Sequence, residues 1–167
     1  MNNTIAYYDD IADAYIEGTL DVDMSSLYER FLPRIPKGGH ILDAGCGSGR
    51  DAAAFKASGF VVTAFDASDT MAKRASKYIG IDVAVCTFSE FNSVEFFDGI
   101  WACASLLHVS RSELQAAFNN LISYLKPGGV MYVSFKHGSG EREHMGRCFT
   151  DMDESRLGAL ISAVEKV

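Results

Sequence analysis

An α/β fold is predicted for this chain: a doubly wound, mostly parallel sheet with helices on both faces. Three observations lead there. Apolar strands alternate with helical segments along the chain, and parallel strands need crossovers that helices supply. The stretch His40-Ile-Leu-Asp-Ala-Gly-Cys-Gly-Ser-Gly49 runs an apolar strand into an acid, then into three glycines spaced two apart. A second apolar strand, Val61–Phe65, ends at Asp66. Sheets of this kind bind ligands beyond the carboxyl ends of their strands, so the glycine turn and Asp66 mark a nucleotide-binding crevice.

Each element has its own signal. Tyr7–Glu17 reads as a helix ending near Gly18, and Ser25–Leu32 as a second, stopped by Pro33 and Pro36. Lys37-Gly38-Gly39 turns into the first strand, His40–Ala44. Arg50–Ser58 is the helix after the glycine loop, closed by Gly59. Strand Val61–Phe65 leads to a helix over Met71–Tyr78, capped by Ser68-Asp69-Thr70 and ended by Gly80. Asp82–Cys86 is a short strand, and Ser89–Val94 a loop or short helix. Asp98–Cys103 has little polar character, as a buried parallel strand should. Leu114, Phe118, Leu121, Ile122 and Leu125 recur at helical spacing over Ser112–Leu125, with Ser110 and Glu113 fitting a capping box. Pro127-Gly128-Gly129 then breaks into strand Val130–Phe135. A polar loop, Lys136–Cys148, precedes a last helix over Asp151–Val164.

Composition narrows the function. The 167 residues suffice for one domain with its own core: 1–36 as an N-terminal helical cap, 37–167 as the α/β core. At 48% hydrophobic content, disorder is not the default reading. Only 15 Lys and Arg face 22 Asp and Glu, with no dense basic cluster, which argues against a tight nucleic-acid partner. There is no apolar run of about 18 residues to span a membrane, and Met1-Asn-Asn-Thr-Ile lacks a secretory pattern. The cysteines, Cys46, Cys86, Cys103 and Cys148, form no CxxC pair. A reduced, cytoplasmic protein without a cysteine-held metal is expected.

The glycine loop discriminates among nucleotides. A dinucleotide fingerprint places its third glycine where this chain has Arg50, and no Gly-Lys-Ser/Thr of a phosphate-binding loop follows. Asp43 stands just before the loop, where an acid suits an ammonium or other positive centre better than an anionic pyrophosphate. Asp66, 23 residues further on, can accept two hydrogen bonds from a ribose diol. Together they describe a nucleoside joined to a cationic, amine-bearing tail. The plainer alternative is that Asp66 caps the following helix or holds a turn.

Here the chain resembles the class I S-adenosylmethionine-dependent methyltransferases. The resemblance rests on Ile41-Leu-Asp-Ala-Gly-Cys-Gly-Ser-Gly49, Asp66, Phe97-Asp-Gly-Ile-Trp-Ala-Cys-Ala-Ser-Leu-Leu-His108 and Leu125-Lys-Pro-Gly-Gly-Val-Met-Tyr132, over about residues 4 to 136. Within that superfamily, Tyr7-Tyr8-Asp9 through Tyr15 and Gly49-Arg50-Asp51 look similar to small bacterial tellurite-resistance and ubiquinone-biosynthesis-like enzymes. The resemblance implies a Rossmann-like sheet of five strands in order 3-2-1-4-5. It implies S-adenosylmethionine as cofactor and S-adenosylhomocysteine as product. The acidity and short length of the chain, which leave no obvious nucleic-acid or protein-docking module, point to a small-molecule methyl acceptor. Gly45, Gly47 and Gly49, with Cys46 between them, would line the methionine part, and Asp43 would sit near its amino group. Asp66 would hold the ribose, with Ala67 and Met71 beside the adenine and Thr87 and Phe88 along its ring. Many members carry an acid near Thr87, where this chain reads Thr87-Phe88-Ser89-Glu90. Ala102, Cys103 and Ala104 would lie by the sulfonium, and Tyr8 and Tyr15 would cover the pocket. The family usually adds two antiparallel strands after the last helix. This chain reaches Val167 first, so strand five is expected as an exposed edge in a monomer or homodimer.

His108 is the candidate base, since it follows strand four at the ligand end and titrates near neutrality. A histidine there serves equally to orient a loop or cap a helix. In the Lys136–Cys148 loop, His137, Glu141, Arg142, His144 and Arg147 suit a mobile lid over a polar or anionic acceptor. No metal-ligand frame such as HExxH is present. A methyltransferase acting on a small molecule is therefore expected. The rivals are a noncatalytic cofactor-binding or interaction protein and, disfavoured by Arg50, an NAD(P)-dependent oxidoreductase.

Overall fold

The computed structural model of the protein describes residues 2–164. Along them run α1 (Asn2–Thr19), α2 (Ser25–Phe31), β1 (His40–Ala44), α3 (Arg50–Ala57), β2 (Val61–Asp66), α4 (Asp69–Ile79) and β3 (Val83–Val85). After these come β4 (Phe97–Ala102), α5 (Arg111–Ser123), β5 (Leu125–Val133), β6 (Gly140–His144), β7 (Arg147–Asp151) and α6 (Glu154–Ser162). The first five strands form one parallel sheet in the order β3-β2-β1-β4-β5, and β6 and β7 form a separate antiparallel pair.

Alternation along the central strands builds two cores. In β1, Leu42 and Ala44 face one side with Phe65, Phe97, Ile100 and the α5 residues Leu114, Phe118 and Leu121. Ile41 faces the other with Phe31, Ile35, Phe55 and Trp101. Register carries the ligand end with it: Asp43 pairs with Ala64 and Trp101, so the carboxyl ends of β1, β2 and β4 finish level. Helix α4 packs through Met71, Ala72, Ala75 and Ile79, one helical face. Ser68 caps it by accepting a hydrogen bond from the Met71 N–H, as its sequence predicts.

Helix α1 is longer than its apolar pattern suggests. Its polar first turn is held because the Thr4 hydroxyl accepts from the Cys148 N–H of β7, 3.0 Å away. At its middle, Asp9 accepts from the Ser68 hydroxyl at 2.5 Å and the Thr70 N–H at 3.2 Å. One helix thus straps the start of α4 to β7.

Four expectations need correction. Pro127-Gly128-Gly129 lies within β5, as an irregularity between the Phe97–Leu125 and Gly99–Val130 pairs, and does not precede the strand. The Lys136–Cys148 segment is not an irregular lid: Glu141–Thr150, Arg142–Phe149 and Glu143–Cys148 pair across a hairpin. Asp151 consequently belongs to β7, and α6 starts after Asp153, which accepts from the Arg156 N–H at 2.9 Å. At α5, Ser110 does not cap with its side chain; its hydroxyl donates to Glu113 Oε2 at 2.6 Å.

Candidate functional site

The carboxyl ends of β1, β2 and β4 open into a cavity of about 930 Å³, its mouth included, roofed by α1. The turn after β1 forms its floor. Gly45, Gly47 and Gly49 have φ of 76°, 54° and 80°, values that favour glycine. Gly45, Cys46 and Gly47 line the cavity. A Cβ on Gly47 would come within 3.4 Å of the Tyr15 ring, so the bare backbone leaves a slot under that ring. Gly49 lies behind this slot: its absent Cβ would stand 2.8 Å from Ile79 Cδ1, so it brings α3 against α4 and does not line the cavity.

Asp66 organises the loop. Its Oδ2 accepts from the Gly47 N–H at 2.8 Å and its Oδ1 from the Ser68 N–H at 2.9 Å. Each oxygen keeps a second lone pair for a diol. Burial raises its pKa, against these hydrogen bonds. Ala67, Met71, Thr87 and Phe88 extend the wall from Asp66, with the Phe65 and Phe88 rings 5.4 Å apart, edge to face. Glu90 does not enter: it accepts from the Thr87 N–H and hydroxyl at 3.0 and 2.8 Å and caps that turn.

Asp43 sits behind the loop. It is only 2% exposed, does not line the cavity, and its Oδ2 has no hydrogen-bond partner. Burial, then the neighbouring Asp51 carboxylate, hold its pKa well above the usual carboxylate range. Ala102 is likewise buried within the sheet, while Cys103 and Ala104 reach the wall. Ala104 has φ 49°, a strained value for a residue with a Cβ, held by its N–H donating to Ser134 Oγ at 2.7 Å.

His108 lines the cavity from a 3-10 turn over Leu106–His108. Its Nδ1 stands 2.8 Å from the Cys148 carbonyl, which can only accept, so Nδ1 carries the proton. Nε2 is then an acceptor, 2.9 Å from the Tyr8 hydroxyl, which donates to it. Burial depresses the His108 pKa, favouring this neutral form. Tyr8 meets Tyr15 edge to face at 5.3 Å, and burial pushes the Tyr15 phenol up to about 12. Both tyrosines thus present protonated hydroxyls.

Sequence reasoning passed over the far wall. Asp51 accepts from four donors: Tyr28 Oη at 2.5 Å, Arg50 Nε at 2.7 Å, Trp101 Nε1 at 2.8 Å and Arg50 at 3.0 Å. This joins α2, α3 and β4 beneath the cavity, which Arg50 and Asp51 both line. The signal was an acid in the first turn of the helix after the glycine loop. Among the described residues no group of three or more His, Cys, Asp or Glu could hold a metal ion.

A family model described as a methyltransferase domain matches residues 16–164. The chain belongs to this methyltransferase family. It is similar to the ubiquinone biosynthesis O-methyltransferase of Rickettsia conorii, 30% identical over 139 residues, 80% of this chain and 47% of that one. The Rickettsia akari protein of the same description is 32% identical over 112 residues, 64% of this chain and 42% of that one. The chain therefore spans less than half the length of these curated relatives. The crystal structure of Burkholderia thailandensis 1,6-didemethyltoxoflavin-N1-methyltransferase, with bound 1,6-didemethyltoxoflavin and S-adenosylhomocysteine, has a similar fold. Its TM-score is 0.74 at 24% identity, over 96% of this chain and 73% of that one. The cyclase SpnF also reaches 0.74, at 21% identity over 95% of this chain and 69% of that one. A shared fold alone therefore does not set the reaction. In this methyltransferase-family chain the 3-2-1-4-5 sheet is that of the Rossmann-like methyltransferase fold.

Proposed function

We propose that this chain binds S-adenosylmethionine and transfers its methyl group, by in-line displacement, to a nucleophile on a small molecule. The observation that carries the reading is Asp66: two loop and turn N–H groups fix the carboxylate, yet it keeps free lone pairs towards the cavity. In this reading Asp66 holds the ribose diol, and Phe88, Thr87, Met71 and Ala67 border the base. Gly45, Cys46 and Gly47 lie along the methionine chain. Arg50, the one Lys or Arg among the described lining residues, faces its carboxylate. Asp43, buried with an unpartnered oxygen, stands behind the loop and does not touch the cofactor in this reading.

When bound, the cofactor supplies a methyl group already activated on a sulfonium. What remains for the protein is to position the acceptor, exclude water and remove a proton where the acceptor carries one. Helix α1 closes the site through Tyr8 and Tyr15. Tyr8 is poised to take a proton from an acceptor at its oxygen while passing its own to His108 Nε2. The Cys148 carbonyl steadies the imidazolium that results.

Calorimetric titration with S-adenosylmethionine, S-adenosylhomocysteine and NADH tests the reading. Saturable one-to-one binding of the first two, and none of NADH, is expected. Asp66→Ala should weaken S-adenosylhomocysteine at least about tenfold, the scale of a lost charge-assisted hydrogen bond. Unchanged affinity in that variant would sink the ribose assignment. Cofactor binding with no turnover across an acceptor screen would favour a noncatalytic binder.

A further inference from the structure

The β6–β7 hairpin carries more charge than its packing needs. Its pleat places Arg142, His144, Arg147 and Phe149 on one face together with a single acid, Asp151, and Glu141 and Glu143 on the other. Phe149 is buried against His108, the ring centres 4.8 Å apart. Three cations surround the same phenyl ring: Arg142 at 4.6 Å from its centre, Lys136 at 4.8 Å and Arg147 at 5.1 Å.

Only one of the three is neutralised. Arg142 pairs with Asp151 at 2.6 Å. Among the described residues, neither Lys136 nor Arg147 forms an ion pair with a carboxylate. Arg147 lies between the rings of Tyr7 and Phe149, its Nε buried and without a hydrogen-bond partner. Both charges reach the candidate base, where they oppose protonation of His108. In a chain of net charge −7, two cations without a carboxylate partner, close behind His108, are unexpected as surface solvation alone.

We propose that Lys136 and Arg147, gathered on Phe149 beside His108, form a subsite for an oxyanion, carboxylate or phosphate, carried by the methyl acceptor. The inference deepens the reading of the cavity as a methyltransferase site and rests on it. The anion neutralises the pair. The reacting nucleophile of the same molecule then points towards Tyr8. An oxyanion on these cations also offsets their pressure on His108, so the base becomes more basic once the acceptor is seated.

The test uses the chain saturated with S-adenosylhomocysteine, titrated with inorganic phosphate and, separately, acetate, at ionic strength held constant with chloride. Saturable binding of one or both anions above the chloride control is expected. The tighter of the two identifies the group the acceptor carries. Lys136→Gln and Arg147→Gln should each weaken that binding about tenfold, and Lys136→Gln should leave S-adenosylhomocysteine affinity unchanged. Because Arg147 also supports Tyr7, Lys136→Gln is the arm that cannot be explained by loosening α1. Anion binding equal in parent and both variants, or no saturation above chloride, would overturn the subsite. Failure of S-adenosylhomocysteine to bind while the anion still does would instead overturn the cofactor reading.

Discussion

Gly49 shows how residues of one motif divide their work. Three glycines at equal spacing look equivalent in the sequence, and all are left-handed in the structure. Yet Gly45 and Gly47 face the cavity, whereas Gly49 faces Ile79 and Ala75 of α4. Gly49→Ala should therefore destabilise the fold, by about 1–3 kcal/mol from the crowding and the φ penalty. Cofactor affinity of the folded fraction should stay the same. Thermal melting with calorimetry separates the two; lost affinity with full stability would mean that Gly49 touches the ligand. The same division explains why Asp43 and Ala102, legible as motif positions, do not reach the cavity. A strand turns alternate residues to opposite faces, and only the two cores show which face is which.

Among the elements, α1 and the hairpin account for most of what the sequence left open. The β1-loop-α3 and β2 signals were plain because apolar runs ended in glycines and an acid. The hairpin was hidden because Glu141-Arg142-Glu143-His144 alternates charge sign and not hydropathy, so it carries no period-two apolar pattern. The first turn of α1 was hidden because its support comes from the Cys148 N–H, distant in sequence. The far wall was missed for the same reason, since Tyr28, Asp51 and Trp101 meet only once α2, α3 and β4 pack. The clasp of α1 over the cavity makes a prediction at this scale. Asp9→Ala removes the carboxylate oxygen that accepts both hydrogen bonds tying α1 to the start of α4, worth about 0.5–2 kcal/mol for a lost cap. Amide hydrogen exchange in α1 should quicken and S-adenosylhomocysteine should dissociate several-fold faster. An unaltered dissociation rate would show that α1 does not gate the site.

For the molecule as a whole, half-buried histidines tie stability to pH. Burial lowers the pKa of both His40 and His108 below the ordinary histidine value of about 6.5. On acidification the unfolded chain takes up these protons first, so this contribution to stability is present at neutral pH. It declines as pH falls through 6.5 towards the depressed folded values. The raised carboxylates Asp43 and Asp66 act in the opposite sense, because the folded state then holds the extra proton. Comparing parent with His108→Gln cancels the carboxylates. The gap between their melting temperatures should narrow between pH 7.5 and 5.5 (our chosen window, about one unit either side of the ordinary histidine value). A gap constant across that range would mean that His108 is not held neutral by the fold.

The chain has a single tryptophan, and its position makes the protein its own optical instrument. Trp101 is wholly buried, stacked on Tyr132 at 4.0 Å, and its indole N–H donates to Asp51, which lines the cavity. Its fluorescence should be blue-shifted in the native state, move to the red on unfolding, and respond to any ligand that redistributes the four hydrogen bonds on Asp51. Occupancy of the cavity can thus be followed from one intrinsic fluorophore, without a label and before any acceptor is known.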